Sequence, residues 1–123
     1  MDKKTKVLIA EDDKFLSKLL EKKLGMEGYS VIIAYDGKES LEMCKKDPPD
    51  IILLDLIMPN MNGFEFLDAI KKDSDLKSIP VIIFSNLGQD DDVKKGLAAG
   101  AKDYVIKANI SINDVVEKIE KYL

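Results

Sequence analysis

The chain has 123 residues, of which 46% are hydrophobic and 34% are charged, and its formal net charge is −4 at pH 7. A chain of this length and balance forms one globular domain around one core, so the composition excludes a disordered protein. No apolar run is long enough to cross a bilayer, and the first residues, MDKKTKVLIAEDD, have the features of neither a signal peptide nor an anchor. We therefore expect a cytoplasmic protein that does not bind a membrane.

The residue types present limit the available chemistry. The chain has no histidine, no arginine and no tryptophan, and Cys44 is its only cysteine. These absences exclude an intrachain disulfide, a thiolate metal cluster, an internal phosphohistidine and an arginine finger. Acids and lysines are interspersed and the net charge is negative, which argues against a nucleic-acid surface. Lysine is thus the only fixed cation that a site in this chain can use.

Five short apolar runs divide the sequence, and they are continuous rather than alternating, which is typical of parallel strands buried on both faces. The runs cover residues 7–10, 31–34, 51–54, 81–84 and 104–106. A segment with helical periodicity follows each run. The apolar positions of these segments are, in chain order, Phe15, Leu16, Leu19, Leu20 and Leu24; Leu41 and Cys44; Phe66, Leu67 and Ile70; Val93, Gly96 and Leu97; and Ile112, Val115, Val116, Ile119 and Leu123.

Turn residues separate the runs, and Ser111 with Asp114 three positions later predicts the N-cap of the last helix. The sequence therefore predicts an α/β fold of the form (βα)5, with no linker or repeat. We expect a doubly wound, five-stranded parallel sheet with helices on both faces and the flavodoxin-like strand order 2-1-3-4-5. Residues 1–123 are expected to form this single domain.

Polar residues follow four of the five predicted strands. Ligands of open α/β sheets bind beyond the carboxyl ends of the strands, where the strand order reverses. In the 2-1-3-4-5 order, the acids after strands one and three converge at one edge, with the polar residues of strands four and five successively farther along it. The residues concerned are Glu11, Asp12 and Asp13 after strand one, Asp55 after strand three, Ser85 and Asn86 after strand four, and Lys107 after strand five.

Each of these residues also has a purely structural interpretation. Acids between a strand and a helix cap the helix and complement its dipole, and this role alone would explain residues 11–13 and, at the fourth helix, residues 90–92. Ser85 would then be a turn hydroxyl and Lys107 a surface lysine. Asp55 is not explained in this way, because the sequence LIM that follows it does not begin a helix.

The joint arrangement favours a site for phosphate chemistry. Three carboxylates held together repel one another unless a cation joins them, and their oxygen atoms suit Mg²⁺ better than Zn²⁺. Acids, one lysine and one hydroxyl can neutralise and orient a phosphoryl group, and a metal-bound aspartate can itself become the acceptor. Competing phosphate motifs are absent: there is no P-loop, and a D-x-D phosphatase would need an acid at Ile57.

Four motifs together give the chain a resemblance to a known family over essentially its whole length. They are VLIAEDD, IILLDLIMPNMNGFEFL, VIIFSN and AGAKDYVIK. With these motifs the chain resembles a response-regulator receiver domain of two-component signalling. The resemblance implies a switch that is controlled by phosphorylation and that is not an enzyme in the usual sense, although it supplies groups for its own phosphorylation and dephosphorylation.

The resemblance also implies a role for each site residue. Asp55 is the expected phosphoacceptor, and Lys107 and Ser85 are expected to contact the phosphoryl group, with Tyr104 changing its rotamer together with Ser85. The expected Mg²⁺ ligands are Asp12, Asp55, the backbone carbonyl of Ile57 and, through a water molecule, Glu11.

The implied partners are a sensor histidine kinase or a phosphotransfer protein, which must supply the phosphohistidine, and a downstream protein. The downstream protein is expected on the face of helix four, strand five and helix five. Because family members that dimerise through this face often use arginine–acid pairs, the absence of arginine favours a monomer. We expect a stand-alone receiver with no output domain.

Three lysines are spaced by four on helix one and form a ridge on its surface. They are Lys14, Lys18 and Lys22, and the ridge is either a solvated face or a docking surface for the kinase.

Three departures from the family pattern concern the loops around Asp55. Ala108 follows Lys107 where the family usually has proline, so this loop is expected to be shaped differently. Asn86 replaces a small residue and is expected to narrow access to Asp55. Ile57 and Leu87 are apolar, and we expect them to hinder an attacking water and to prolong the phosphorylated state.

Two other functions fit parts of the sequence. The first is a constitutive protein-interaction module with the same fold and no phosphorylation, against which the costly clustering of acids argues. The second is a Mg²⁺-dependent hydrolase of small phosphates, which would lack a general base distinct from the metal ligands.

Overall fold

The computed structural model describes residues 4–123, and its centre is a five-stranded parallel sheet in the order β2-β1-β3-β4-β5. The predicted fold class and strand order are therefore confirmed. The strands are β1 (Lys6–Ala10), β2 (Ser30–Ala34), β3 (Ile51–Leu54), β4 (Val81–Ser85) and β5 (Asp103–Ile106).

In the described part of the chain, five α-helices alternate with the strands, and a 3-10 turn, Lys107–Asn109, follows β5. Within residues 4–123, no helix is both long enough and apolar enough to span a bilayer. The helices are α1 (Lys14–Met26), α2 (Gly37–Lys46), α3 (Gly63–Lys72), α4 (Asp90–Ala98) and α5 (Ile112–Lys121).

Each face of the sheet is covered by its own hydrophobic cluster, which explains why the strand sequences are continuously apolar. Along β3, Ile52 and Leu54 point into the cluster formed with α2 and α3, while Ile51 and Leu53 point into the cluster formed with α1 and α5. All four of these side chains are buried. Since both faces of the sheet are covered, a polar side chain on a central strand is accommodated only at the end of that strand.

Several strands extend one residue beyond the predicted apolar runs, because the backbone pairing continues through polar residues. Ser85 is the last residue of β4 and pairs with Ile106, and Asp103 begins β5 opposite Ile82. Ser85 was expected just after the strand, so its backbone is held more firmly than a loop residue would be.

The apolar stripe predicted for the first helix is too wide. Leu20 and Leu24 are buried, whereas Phe15 is 82% exposed and Leu19 is 40% exposed. The residues that face the sheet are spaced by four, and Phe15 and Leu19 lie on the flank of this row. Leu97 and Leu123 are also exposed, contrary to the predicted helical faces.

The helix starts confirm some of the predicted caps and correct others. Asp13 caps α1 by accepting a hydrogen bond from the Leu16 amide, and Ser111 forms a capping box with Asp114. The N-cap of α4 is Gln89, which makes no side-chain capping bond. The aspartates at 90–92 are thus not caps, and lie in the first turn, where their charges complement the helix dipole.

The assignment of the core predicts different costs for two phenylalanines. Phe66→Ala should lower the free energy of unfolding by about 3–5 kcal/mol, because a fully buried ring leaves a cavity. Phe15→Ala, the matched control with an exposed ring, should change it by no more than about 0.5 kcal/mol. Urea unfolding followed by circular dichroism measures both values, and equal losses would contradict the assignment.

Candidate functional site

Three carboxylates meet at the carboxyl edge of the sheet. Glu11 follows β1 and is 2% exposed, Asp55 follows β3 and is 6% exposed, and Asp12 is exposed. One carboxylate oxygen from each residue lies within 4.8 Å of the others. The convergence predicted for strands one and three is confirmed by this geometry, because β1 and β3 are paired neighbours.

The backbone fixes Asp55 at the point where the chain leaves the sheet. Its amide donates to the carbonyl of Ala10 at 2.9 Å, which extends the pairing of β1 and β3 by one step. Its Oδ1 accepts a hydrogen bond from the Ile57 amide at 3.2 Å. The start of α3 then passes so close that a Cβ on Gly63 would lie 2.5 Å from the carbonyl oxygen of Asp55. A side chain at position 63 would therefore displace the segment that carries Asp55.

Lys107 brings the one ammonium group seen within reach of this cluster in residues 4–123. Its Nζ lies 2.5 Å from Glu11 Oε1 and 3.0 Å from Asp55 Oδ2, and only 15% of its side chain is exposed. The lysine begins the 3-10 turn after β5, so its side chain reaches across β4 to two acids on other strands. The two ion pairs of Lys107 thus link the carboxyl ends of β1, β3 and β5.

Burial and charge shift the pKa values of Glu11 and Lys107. Desolvation, with the nearby charge of Asp55, raises the pKa of Glu11 from 4.5 to about 7, against the opposing effect of Lys107. Burial acts to lower the pKa of Lys107, but its contacts with Glu11 and Asp55 outweigh burial and raise it. Lys107 therefore stays charged, and Glu11 is the group whose charge is costly.

The donor set of the cluster fits a hard divalent cation. All three side chains offer oxygen atoms, which Mg²⁺ prefers, and no nitrogen or sulfur ligand is among the residues that the cluster brings together. Glu11 Oε1 is buried and, within the described chain, has the charge contact with Lys107 but no aligned hydrogen bond. This oxygen therefore has acceptor capacity left for a cation or its bound water.

Ser85 and Tyr104 are linked through the backbone of Leu87. Ser85 is fully buried, and its Oγ accepts a hydrogen bond from the Leu87 amide at 3.3 Å. The Tyr104 hydroxyl donates to the Leu87 carbonyl. The phenol ring lies against α4, where a Cβ on Gly96 would be 3.0 Å from its Cδ2. One residue thus connects the predicted switch hydroxyl to the predicted switch tyrosine.

The four residues that depart from the family pattern lie around the site in different ways. Asn86 and Ala108 line an open groove between α1 and the start of α5, together with Phe15 and Lys107. Leu87 is partly buried and packs against the core, whereas Ile57 is 55% exposed. Sequence reasoning missed a further contact, between Asp36 and Asn60, since the sequence signals there indicate only turns.

The fold and the site define a class of protein, a flavodoxin-like α/β domain with an acidic pocket at the carboxyl edge of its sheet. The family model that matches residues 7–120 is the response regulator receiver domain. The chain therefore belongs to the receiver domains, which are switches of two-component signalling and in general bind Mg²⁺ in their acidic pocket.

Two curated relatives illustrate the extent of the match. The probable transcriptional regulator ycf27 of Guillardia theta is 41% identical over 107 residues, which are 87% of this chain and 41% of that protein. The response regulator ArlR of Staphylococcus saprophyticus is 38% identical over 119 residues, 97% of this chain and 52% of ArlR. The chain thus spans about half the length of the curated relatives that it matches.

Solved structures agree with this assignment. The receiver domain of the Francisella response regulator 1452 has a TM-score of 0.88 and 31% identity, covering 96% of this chain and 95% of that one. The chemotaxis response regulator CheY4 of Vibrio cholerae has a TM-score of 0.90 and 28% identity, and the match covers 98% of this chain and 100% of that one. The resemblance seen in the sequence is confirmed.

The raised pKa of Glu11 predicts a pH-dependent stability in buffer without metal ions. Between pH 4.5, its ordinary pKa, and about 7, the unfolded chain releases this proton while the folded protein keeps it. The free energy of unfolding therefore falls by up to about 3 kcal/mol as the pH rises through this range, and this effect levels off above pH 7. Urea unfolding across this range measures the slope.

Glu11→Gln should remove this contribution, so that its stability relative to the wild type increases as the pH rises from 4.5 to 7. Asp91→Asn, which removes an exposed carboxylate of α4, serves as the control and should keep the wild-type slope. Parallel curves for the wild type and Glu11→Gln would contradict the assignment to Glu11.

Proposed function

We propose that this chain is a phosphorylation-activated signalling switch in which Asp55 accepts a phosphoryl group from a phosphohistidine of a histidine kinase or phosphotransfer protein. One observation carries the proposal: the nearly buried Asp55 lies 3.0 Å from the ammonium of Lys107 and beside two further carboxylates. Phosphoryl transfer depends mainly on positioning and charge neutralisation, which this arrangement supplies. A structural role alone does not explain buried, mutually repelling acids.

The transfer itself needs few groups from the chain. An oxygen of Asp55 attacks phosphorus, the bond from phosphorus to the donor imidazole nitrogen breaks, and the nitrogen leaves with the electron pair. Lys107 moves its contact from the carboxylate to a phosphoryl oxygen. Mg²⁺, when held by Asp12, Asp55 and the backbone carbonyl of Ile57, and through water by Glu11, adds positive charge against the phosphoryl oxygens.

The response to phosphorylation passes through Leu87. The Ser85 hydroxyl turns from the Leu87 amide to a phosphoryl oxygen, which loosens the loop that holds the Tyr104 hydroxyl. Tyr104 then changes its rotamer and alters the face of α4, β5 and α5, where the downstream partner binds. Leu97, which is 45% exposed on α4, gives this face an apolar contact.

The phosphodonor docks beside the acidic cluster, on α1. Phe15 is 82% exposed and borders the groove that leads to Lys107, and Leu19 is exposed one turn farther along the helix. Lys14 and Lys18 flank these residues in the sequence and suit an acidic patch on the partner. The exposed apolar residues favour a docking surface over a merely solvated lysine face.

The chain acts as a monomer in this proposal. Asp103, at the start of β5, is engaged within its own chain, since its Oδ2 accepts hydrogen bonds from Lys118 at 3.1 Å and Tyr122 at 3.0 Å. This acid is thus not free for a partner subunit, and the chain has no arginine to offer in exchange. A stand-alone role, a cytoplasmic location and the absence of nucleic-acid binding stay predictions of the sequence.

Intact-protein mass spectrometry after incubation with acetyl phosphate and Mg²⁺ tests the proposal. The wild type should gain one phosphoryl group, because Asp55 is the nucleophile and Lys107 neutralises the charge. Asp55→Asn should gain none, and a chelator should abolish the gain. Asp50→Asn, which removes an acid at the opposite end of β3, is the control and should be phosphorylated like the wild type.

The other outcomes select among the alternatives. No addition to the wild type, without detectable Mg²⁺ binding, would favour a constitutive interaction module. Continuous release of phosphate from a model phosphoester would favour a hydrolase. Light scattering on the phosphorylated sample should give the mass of a monomer, and a dimer would contradict the proposed state.

The exposed side chain of Ile57 should prolong the phosphorylated state by shielding Asp55 from water. Ile57→Asn should therefore speed up the loss of the phosphoryl group several-fold, because an amide can hold the attacking water where the isoleucine side chain excludes it. The decay of phosphorylated protein after removal of acetyl phosphate measures the rate. An unchanged rate would dismiss the shielding.

A further inference from the structure

The loop that joins β3 to α3 contacts the first residues of α2. This loop carries Ile57, whose backbone carbonyl is proposed above as a Mg²⁺ ligand. Ile57 itself lies in no helix or strand, and its side chain is 55% exposed, so its own packing does little to fix the carbonyl, although Leu56 and Met58 on either side are buried. Besides these buried neighbours and the hydrogen bond from the Ile57 amide to Asp55, contacts farther along the loop hold its position.

A hydrogen bond from Asn60 to Asp36 holds the tip of the loop. Asp36 is the N-cap of α2, and its two oxygens have separate partners: Oδ1 accepts from the Glu39 amide at 2.7 Å and Oδ2 from the Asn60 amide group at 2.8 Å. These bonds, the backbone bond first, lower the pKa of Asp36 and keep it charged. A charge-assisted bond of this kind is stronger than one between neutral groups.

Asn60 contacts Asp36 from a left-handed backbone conformation. Its φ is 69°, and within residues 4–123 it is the one non-glycine residue with positive φ. Asparagine tolerates this conformation better than most residues, but it still costs free energy. The bond to Asp36 offsets that cost.

Gly37 lets the loop backbone approach α2 directly. A Cβ at this position would lie 1.9 Å from the carbonyl oxygen of Met61 and 2.7 Å from its carbonyl carbon. Gly37 is buried, and its φ is not positive, so glycine is required here for space and not for conformation. Any side chain would push the loop away from α2.

The far end of the loop is fixed to the strand end that bears Asp55. The Gly63 amide donates to the Leu56 carbonyl at 3.0 Å, and Gly63 leaves no room for a side chain against Asp55 and Leu56. Ile57 thus lies between one anchor beside Asp55 and another on α2. Loosening either anchor frees its carbonyl.

We propose that Asp36, Gly37 and Asn60 form a clasp that positions the Ile57 carbonyl for Mg²⁺. The three are positioning residues, since none of them is among the acids of the cluster. The inference rests on the proposed function only in taking the acidic pocket as a Mg²⁺ site with Ile57 as a ligand. If the clasp is lost, the pocket keeps its three carboxylates but loses a preorganised fourth ligand.

Mg²⁺ titrations followed by amide NMR test the clasp directly, with stability measured in parallel by urea unfolding. Gly37→Ala should weaken Mg²⁺ binding by about tenfold, as losses of supporting contacts around metal ligands do. Gly25→Ala is the matched control: a Cβ there meets nothing within 4 Å, so Mg²⁺ binding should be unchanged. Equal affinities of Gly37→Ala and the wild type would overturn the clasp.

Two variants at Asn60 separate positioning from folding. Asn60→Gly removes the amide group while keeping a residue that accepts positive φ, and it should weaken Mg²⁺ binding several-fold. The exchange Asp36→Asn with Asn60→Asp reverses the bond, keeps the helix cap and leaves the net charge unchanged. It should restore the wild-type affinity, and failure to do so, with the fold intact, would overturn the role of this bond.

Phosphorylation by acetyl phosphate distinguishes this inference from the proposed function. At saturating Mg²⁺, Asn60→Gly should reach the wild-type rate, because only the metal affinity is reduced; a lower rate at saturation would contradict a purely positioning role. If the wild type binds Mg²⁺ and the variants bind it more weakly, but no protein is phosphorylated, the clasp stands and the proposed function fails. If the wild type binds no Mg²⁺, the clasp fails.

Discussion

The contact of Lys107 with Glu11 and Asp55 is the interaction on which the architecture of the site depends. It joins the ends of β1, β3 and β5, and it supplies the positive charge that lets two nearly buried carboxylates lie together. A sheet covered on both faces leaves its carboxyl edge as the place for such groups. With Glu11, Asp12 and Asp55 all ionised, one ammonium leaves a formal surplus of two negative charges, which matches a divalent cation.

Most of the fold follows from patterns that act over short distances. Continuous apolar runs predicted the strands, and the helices between them follow from periodicity and caps such as Ser111. The expected edge location of Asp55 follows as well, since β1 and β3 are neighbours in the sheet. The strand ends are less predictable, because Ser85 and Asp103 pair through their backbone, whatever their side chains.

What the sequence does not predict depends on contacts between distant segments. The requirement for glycine at position 37 comes from the Met61 carbonyl, and the left-handed backbone of Asn60 is compensated by Asp36. Neither pair is signalled by periodicity, and both positions have the appearance of ordinary turns. The exposure of Phe15 was misjudged for a related reason, since a helical stripe does not reveal how wide a face its neighbours cover.

The burial of Glu11 beside Asp55 is electrostatically unfavourable, and this bears on the proposed switch. Burial and the charge of Asp55 outweigh the effect of Lys107 and raise the pKa of Glu11 to about 7. In the proposed function, a phosphoryl group on Asp55 adds negative charge at the same point and competes for the same ammonium. The ammonium of Lys107 has three N–H donors but only one positive charge, so the Ser85 hydroxyl serves as a further donor to the phosphoryl oxygens in this proposal. The proposed switch therefore rests on a small excess of negative charge in a pocket where lysine is the only fixed cation.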